Sequence, residues 1–250
     1  MRFEGKVLFA TGGGSGLAAA VSRRFAAEGG RVAVVDLDGD RANAVAGELD
    51  GSVGLAANVA DEESVRDAVG TARERLGRID CVFNAAGHAD FGPIEEWSLE
   101  RWNLMMSVHA GGTFLVCKHV LPLMREQDGG SIVNVASIAA LVAQPNNAPY
   151  GAAKGAILSF SRQLALDVGP AIRVNVVAPG RVRTGMTTPL YTARGGGSYE
   201  KGAAMSAQLN VQKRIGEPEE IAAPVCFLLS DEASFITGTV IVPDGGETAI

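Results

Sequence analysis

Short β-branched and apolar runs recur along this chain, most of them closed by Gly, Asn, Asp or Ser. They cover Lys6–Ala10, Arg31–Asp36, Val53–Val59, Ile79–Asn84, Ile132–Ser137, Ile172–Val177 and Thr239–Val242. Their length and composition mark buried strands. The segments between them carry helical spacing. Helices are predicted from the glycine run after Thr11 to about Glu28, over Arg41–Leu49, over Asp61–Leu76, from Leu99 to about Glu126, from Pro149 to Val168 and over Glu217–Ser230. Asp61 is placed to cap its helix, with Glu62 and Glu63 in the first turn, while Gly111-Gly112 and Pro122 interrupt the long one. Near-continuously apolar strands alternating with helices predict an α/β fold. Its core would be a doubly wound parallel sheet of about seven strands, covered by helices on both faces. Residues 1–250 read as one domain. Between Thr184 and Arg214 the pattern lapses into a loop with one or two short helices, placed to act as a substrate lid over 184–214.

In such sheets the ligand sits at the carboxyl ends of the strands. Gly12–Leu17, Asp36, Asn58, Asn84–Gly87, Ser137 and Pro179-Gly180 all fall there, although they come from separate parts of the chain. The first strand runs into Thr11-Gly12-Gly13-Gly14-Ser15-Gly16-Leu17 and then a helix, the context of a phosphate-binding turn in a Rossmann-type fold. Gly14, Gly16 and Ala19 fit the dinucleotide fingerprint, a fit that a glycine-rich run makes easy. Asp36 closes the second strand 20 positions after Gly16, where the fingerprint places a carboxylate for the adenosine ribose hydroxyls. It would repel a 2′-phosphate, and neither Leu37 nor the glycine loop supplies a nearby arginine or lysine to bind one. The alternative role for Asp36 is capping the helix Arg41–Leu49.

Tyr150 and Lys154 lie four apart and so share one helix face. A free tyrosine titrates near 10, and an ammonium one turn away favours the phenolate. Ser137 precedes the pair at the end of a strand and can donate to the same substrate oxygen. The set can move a proton on and off an alcohol or carbonyl oxygen. Alone, the same spacing also describes a half-buried tyrosine beside a solvated lysine.

Charge and cysteine content narrow the setting. The chain holds 22 basic and 28 acidic residues, a net charge of −6, and no basic run, which argues against nucleic acid as a partner. Cys81, Cys117 and Cys226 lie singly in apolar runs, as expected of buried thiols in a reducing compartment. The polar N-terminus lacks the pattern of a signal peptide, and no apolar run approaches the ~20 residues of a membrane span. A cytoplasmic protein is expected. No metal is expected either, since no His, Cys, Asp or Glu cluster has ligand spacing.

Taken together, the glycine loop, Asn84-Ala85-Ala86-Gly87, Ser137 with Tyr150 and Lys154, Asn175 with Pro179-Gly180 and Thr184, and Asp244-Gly245-Gly246 resemble the short-chain dehydrogenase/reductase family over essentially the whole chain. The resemblance implies an NAD(P)-binding domain and a nicotinamide-dependent oxidoreductase interconverting a secondary alcohol and a ketone. Tyr150 would be the acid/base, Lys154 would lower its pKa and hold the nicotinamide ribose, and Ser137 would orient the substrate oxygen. Gly12, Ser15, Gly16 and Leu17 would meet the pyrophosphate side and Asp36 the adenosine ribose. Asn58 and Val59 would lie near the adenine, Asn84, Ala85 and Gly87 along the cofactor, and Pro179, Gly180 and Val182 near the nicotinamide. Asp36 resembles the branch that prefers NAD over NADP. Homotetramers, or homodimers, paired through Leu99–Glu126 and Pro149–Val168 are implied.

Two positions depart from the family pattern. Ala18 replaces its third glycine, and His109 stands where an asparagine supports a water connected to the lysine. A histidine titrating near 6.5 suits a proton relay but is bulkier. Expected pocket walls are Ala139, Leu141, Gln144, His88, Arg181, Met186 and Tyr191, which do not specify one small-molecule alcohol or ketone. A 3-oxoacyl-thioester reductase and a non-catalytic NAD-sensing protein are the alternatives. Asp36 and the net charge weigh against the first, and the intact Ser137, Tyr150 and Lys154 against the second.

Overall fold

The computed structural model describes residues 1–127 and 129–249. Seven strands, β1 (Val7–Thr11), β2 (Arg31–Asp36), β3 (Val53–Ala56), β4 (Cys81–Asn84), β5 (Gly130–Val135), β6 (Ile172–Val177) and β7 (Val240–Ile241), form one sheet in the order β3-β2-β1-β4-β5-β6-β7. All pairings are parallel. The α/β, doubly wound architecture predicted from the strand–helix alternation is therefore present. The connections run outward from β1 in one direction and from β4 in the other. That reversal opens a crevice between the carboxyl ends of β1 and β4.

Alternating strand residues feed two cores, as the twofold side-chain period requires. Leu8, Ala10, Val32 and Val34 pack under α1 (Gly16–Ala27), α2 (Gly39–Gly47) and α9 (Pro218–Leu229). Val7, Phe9, Ala33 and Val35 pack under α3 (Glu62–Leu76), α5 (Gly112–Glu126) and α6 (Ala148–Val168). Asp61 caps α3 by accepting the Ser64 N–H at 2.8 Å. The lapse in pattern after Thr184 holds two short helices, α7 (Thr188–Arg194) and α8 (Tyr199–Ala207), anchored by the fully buried Tyr191.

Several boundaries differ from expectation for local reasons. β3 stops at Ala56 because it is an edge strand and the Asn58 side chain turns the chain by accepting the Ala60 N–H at 3.0 Å. β5 ends at Val135, so Ser137 lies just beyond its strand. The long helix is α4 (Leu99–Met106), a π turn at Ser107–Gly111, and α5; the break falls at the glycines, whereas Pro122 is accommodated within α5. By length and composition Leu99–Glu126 is apolar enough to cross a membrane, contrary to the sequence expectation. Here Val116, Cys117, Val120 and Met124 are buried against the sheet.

Candidate active site

The glycine loop leaves β1 through Gly12, whose φ of +68° favours glycine; a Cβ there would also press on the Ala86 backbone at 3.0 Å. α1 starts at Gly16 with Ser15 extended and making no side-chain cap, and no acidic residue lies in the first turn. Its leading N–H groups are thus left for an anion. They border a cavity of about 360 Å³ at the switch point. The same cavity is lined by Gly12, Ser15, Gly16, Leu17, Asp36, Ala85, Gly87, Ser137, Tyr150, Lys154, Pro179, Gly180 and Val182, and by Thr184, Met186 and Thr187 from the head of the irregular segment. Seven separate stretches of sequence converge on it. Asn58 and Val59 line an adjoining cavity of about 310 Å³ that shares Gly12, Asp36, Leu37 and Gly87 with the first.

Asn84 lies elsewhere. It is buried beneath the crevice and lines neither cavity; its side-chain amide donates to Asn134 Oδ1 at 2.9 Å. Asn84 points to the face covered by α5, where it also meets Cys117 Sγ at 3.6 Å, and its bond to Asn134 ties β4 to β5. Asp36 does not cap α2. Asp38 does, accepting from the Asp40 and Arg41 N–H groups at 3.1 and 3.2 Å. The Asp36 carboxylate instead accepts the Gly14 N–H at 2.9 Å and the Asp38 N–H at 3.0 Å, which fixes it on the cavity wall.

At the other end, α6 presents Tyr150 and Lys154 on one face. Lys154 is 4% exposed and its Nζ donates to the Val135 carbonyl at 2.9 Å, 5.7 Å from the Tyr150 ring centre. Burial pulls the ammonium down to about 7. The same burial pushes the Tyr150 phenol up to about 12, with the adjacent Ser137 hydroxyl pulling the other way. This corrects the expectation of a depressed tyrosine pKa. In the resting protein, desolvation outweighs the Ser137 hydrogen bond.

His109 also differs from expectation. It is 1% exposed, in the π turn, with its ring edge-on to Tyr150 at 5.4 Å between centres. Nε2 meets the His88 carbonyl at 3.0 Å and the His88 N–H at 3.3 Å, while Nδ1 is buried without a hydrogen-bond partner among the described residues. The ring fills the space that a side chain at Gly87 would need. Burial, reinforced by the nearby Lys154 charge, holds His109 down to about 2, so it stays neutral at working pH and carries no charge as a relay.

The expected walls divide. Met186 borders the main cavity, and Ala139 and Gln144 border a separate one beside Asn147 and Gly151. His88 lies on the adjoining cavity of Asn58 and Val59, and the nearby Asp90 is paired with Arg101 at 2.6 Å. Arg181 faces away, paired with Glu247 at 2.9 Å, and Tyr191 is closed off in the core of α7 and α8. Sequence reasoning missed Arg41, which lines the main cavity beside Asp36 and Leu37. Reading Asp38 as the helix cap would have drawn Arg41 into the first turn and toward the glycine loop.

The family model described as Enoyl-(Acyl carrier protein) reductase matches residues 12–248. A protein named 2-(S)-hydroxypropyl-CoM dehydrogenase 3, from Xanthobacter autotrophicus, is 38% identical, with 100% of this chain and 99% of that protein covered. The chain belongs to the short-chain dehydrogenase/reductase family. D-threitol dehydrogenase of Mycolicibacterium smegmatis is also 38% identical, over 99% of this chain and 94% of that protein. The crystal structure of levodione reductase superimposes with a TM-score of 0.94 at 37% identity, covering 99% of both chains. Members of this short-chain dehydrogenase/reductase group use nicotinamide cofactors. The cradle here suits one: uncapped N–H groups at α1 and the Asp36 carboxylate border the same cavity as Ser137, Tyr150 and Lys154.

Proposed function

We propose that this chain is an NAD(H)-dependent oxidoreductase that interconverts a secondary alcohol and a ketone. The observation that carries the reading is the convergence of Ser137, Tyr150 and Lys154 on the cavity that also holds the glycine loop and Asp36. Gly12, Ser15, Gly16 and Leu17 would hold the pyrophosphate, Asp36 the adenosine ribose, Asn58 and Val59 the adenine, and Lys154 the nicotinamide ribose. Ala85, Gly87, Pro179, Gly180 and Val182 would line the remaining path, with Asn84 supporting it from below. The bound nicotinamide supplies or accepts the hydride. Ser137 donates to the substrate oxygen and orients it toward Tyr150. In reduction the Tyr150 phenol gives its proton to the developing alkoxide; in oxidation the phenolate takes the hydroxyl proton. Lys154, when protonated, stabilises that phenolate.

A phenol held near 12 is ready as the acid of reduction, so the oxidative direction is favoured by alkaline conditions. Asp36 disfavours a 2′-phosphate and supports the choice of NAD. The segment 184–214 acts as the lid within a single 1–250 domain, with Met186 at its leading edge on the cavity. Exposed Leu104, Phe114 and Leu166 on α4, α5 and α6 support pairing into homodimers and homotetramers, and the free, buried Cys81, Cys117 and Cys226 suit a cytoplasmic setting. A 35% identical 3-oxoacyl-[acyl-carrier-protein] reductase from Thermotoga maritima supports a second reading, a 3-oxoacyl-thioester reductase. Asp36 and the net charge of −6 weigh against its usual phosphorylated cofactor and acidic carrier. Turnover of secondary alcohols with NAD, compared with 3-oxoacyl thioesters with NADPH, separates the two.

A further inference from the structure

A buried ion pair that the assignment above leaves without a task stands behind one wall of the main cavity. Pro179, Gly180 and Val182 line that cavity, but Arg181 between them does not. Its Nη2 instead donates to Glu247 Oε1 at 2.9 Å, in the short turn after β7. The two side chains are only 11% and 10% exposed. Arg181 Nε and Glu247 Oε2 are also buried, without a hydrogen-bond partner among the described residues. Removing either residue would therefore leave the other as a buried charge without its counterion.

The turn that carries Glu247 is itself firmly held. Asp244 accepts the Gly246 N–H at 2.8 Å and the Thr248 N–H and hydroxyl at 2.7 Å each. The same turn touches the cavity wall at a second point. The Gly180 N–H donates to the Pro243 carbonyl at 3.2 Å, and a Cβ on Gly180 would meet Asp244 at 2.7 Å. On its other side the wall is tied to Gly216, whose N–H donates to the Arg181 carbonyl and whose carbonyl accepts the Arg183 N–H, both at 2.9 Å. We propose that Glu247 and Arg181 are positioning residues that set the Pro179–Val182 wall from behind, for the nicotinamide half of the cofactor. Neither borders the main cavity; they act through the backbone that carries Gly180 and Val182. Without its partner, the Arg181 guanidinium must turn toward water, and the wall shifts with it. The glycine loop and Asp36 stand on β1 and β2 and keep their places. The inference rests on the cofactor reading above.

The test compares two ligands that differ only at the nicotinamide, NADH and ADP-ribose. Dissociation constants are measured by titration calorimetry for wild type, Glu247→Ala, Arg181→Ala and the double variant. Wild type should bind NADH more tightly than ADP-ribose. Each single variant should weaken NADH by about tenfold or more and leave ADP-ribose within about threefold. The double variant should be no weaker than the poorer single, because both substitutions remove one interaction. Glu247→Gln keeps an acceptor for Arg181 Nη2; it should lie closer to wild type, and it serves if Glu247→Ala does not fold. Equal losses for both ligands would mark a merely structural pair and overturn the inference. So would NADH affinity indifferent to both residues, additive losses in the double variant, or equal wild-type affinities. A wild type that binds neither ligand overturns the cofactor reading and this inference with it.

Discussion

The two ends of the crevice treat charge in opposite ways. At the glycine-loop end, Asp36, Asp38 and Arg41 sit at or near the surface, paired with backbone N–H groups and with one another. At the catalytic end, Lys154 and His109 are almost fully covered and Tyr150 is packed against both. There the medium sets the protonation state: it pulls Lys154 down to about 7, holds His109 down to about 2 and pushes Tyr150 up to about 12. One wall therefore presents fixed, solvent-facing charge. The other shifts protonation states by desolvation, so a substitution at each end should fail in its own way.

The largest effect is expected from Tyr150→Phe, which keeps the ring packing and removes the proton. Its kcat should fall by about 10²- to 10⁴-fold while NADH binding stays near wild type. At the opposite end, Asp36→Ala should leave kcat with saturating cofactor nearly unchanged. It should narrow the NADH-over-NADPH preference by about tenfold or more, read from the two dissociation constants. Equal wild-type affinities would remove the ribose role of Asp36.

The pH response sharpens the contrast further. Because the phenol is raised, it is protonated at neutrality. The oxidative rate should climb with pH above 7 by up to about tenfold per unit, and the reductive rate should not. His109 adds a stability term of the same origin. Its folded pKa lies below its unfolded value, so its contribution is present above about 6.5 and is lost as pH falls toward 2. Below 6.5, wild type should lose stability relative to His109→Asn by up to about 1.4 kcal/mol per pH unit, measured as urea midpoints at pH 7.5 and 5. The smallest effect is expected far from the crevice. Arg23→Ala breaks an exposed pair with Glu48 at 2.7 Å and should leave the urea midpoint close to that of wild type.

The difference between the ends also decides what could be read from sequence. The alternation of strands and helices, the glycine loop, Asp36 and the Tyr150–Lys154 pair follow from period, spacing and residue type, which are local. The capping of α2 by Asp38 was local too, but the nearer-to-strand Asp36 competed for the role, and placing the helix start at Arg41 hid that residue. The protonation states were not legible, because they depend on what covers each group: Val135 above Lys154, Gly87 and His88 around His109. Asn84 shows the same limit, since its motif points to the rim while its side chain is spent tying β4 to β5.

The central claim is that Tyr150 transfers the substrate proton in a nicotinamide-dependent reaction. It is tested most directly by following nicotinamide absorbance while wild type and Tyr150→Phe meet NAD with a panel of secondary alcohols and NADH with the matching ketones. Wild type should turn over at least one pair and Tyr150→Phe should lose that turnover, with NADH binding intact in both. Turnover that survives in Tyr150→Phe, or a wild type that binds NADH and turns over nothing in the panel while Tyr150→Phe behaves identically, would contradict it.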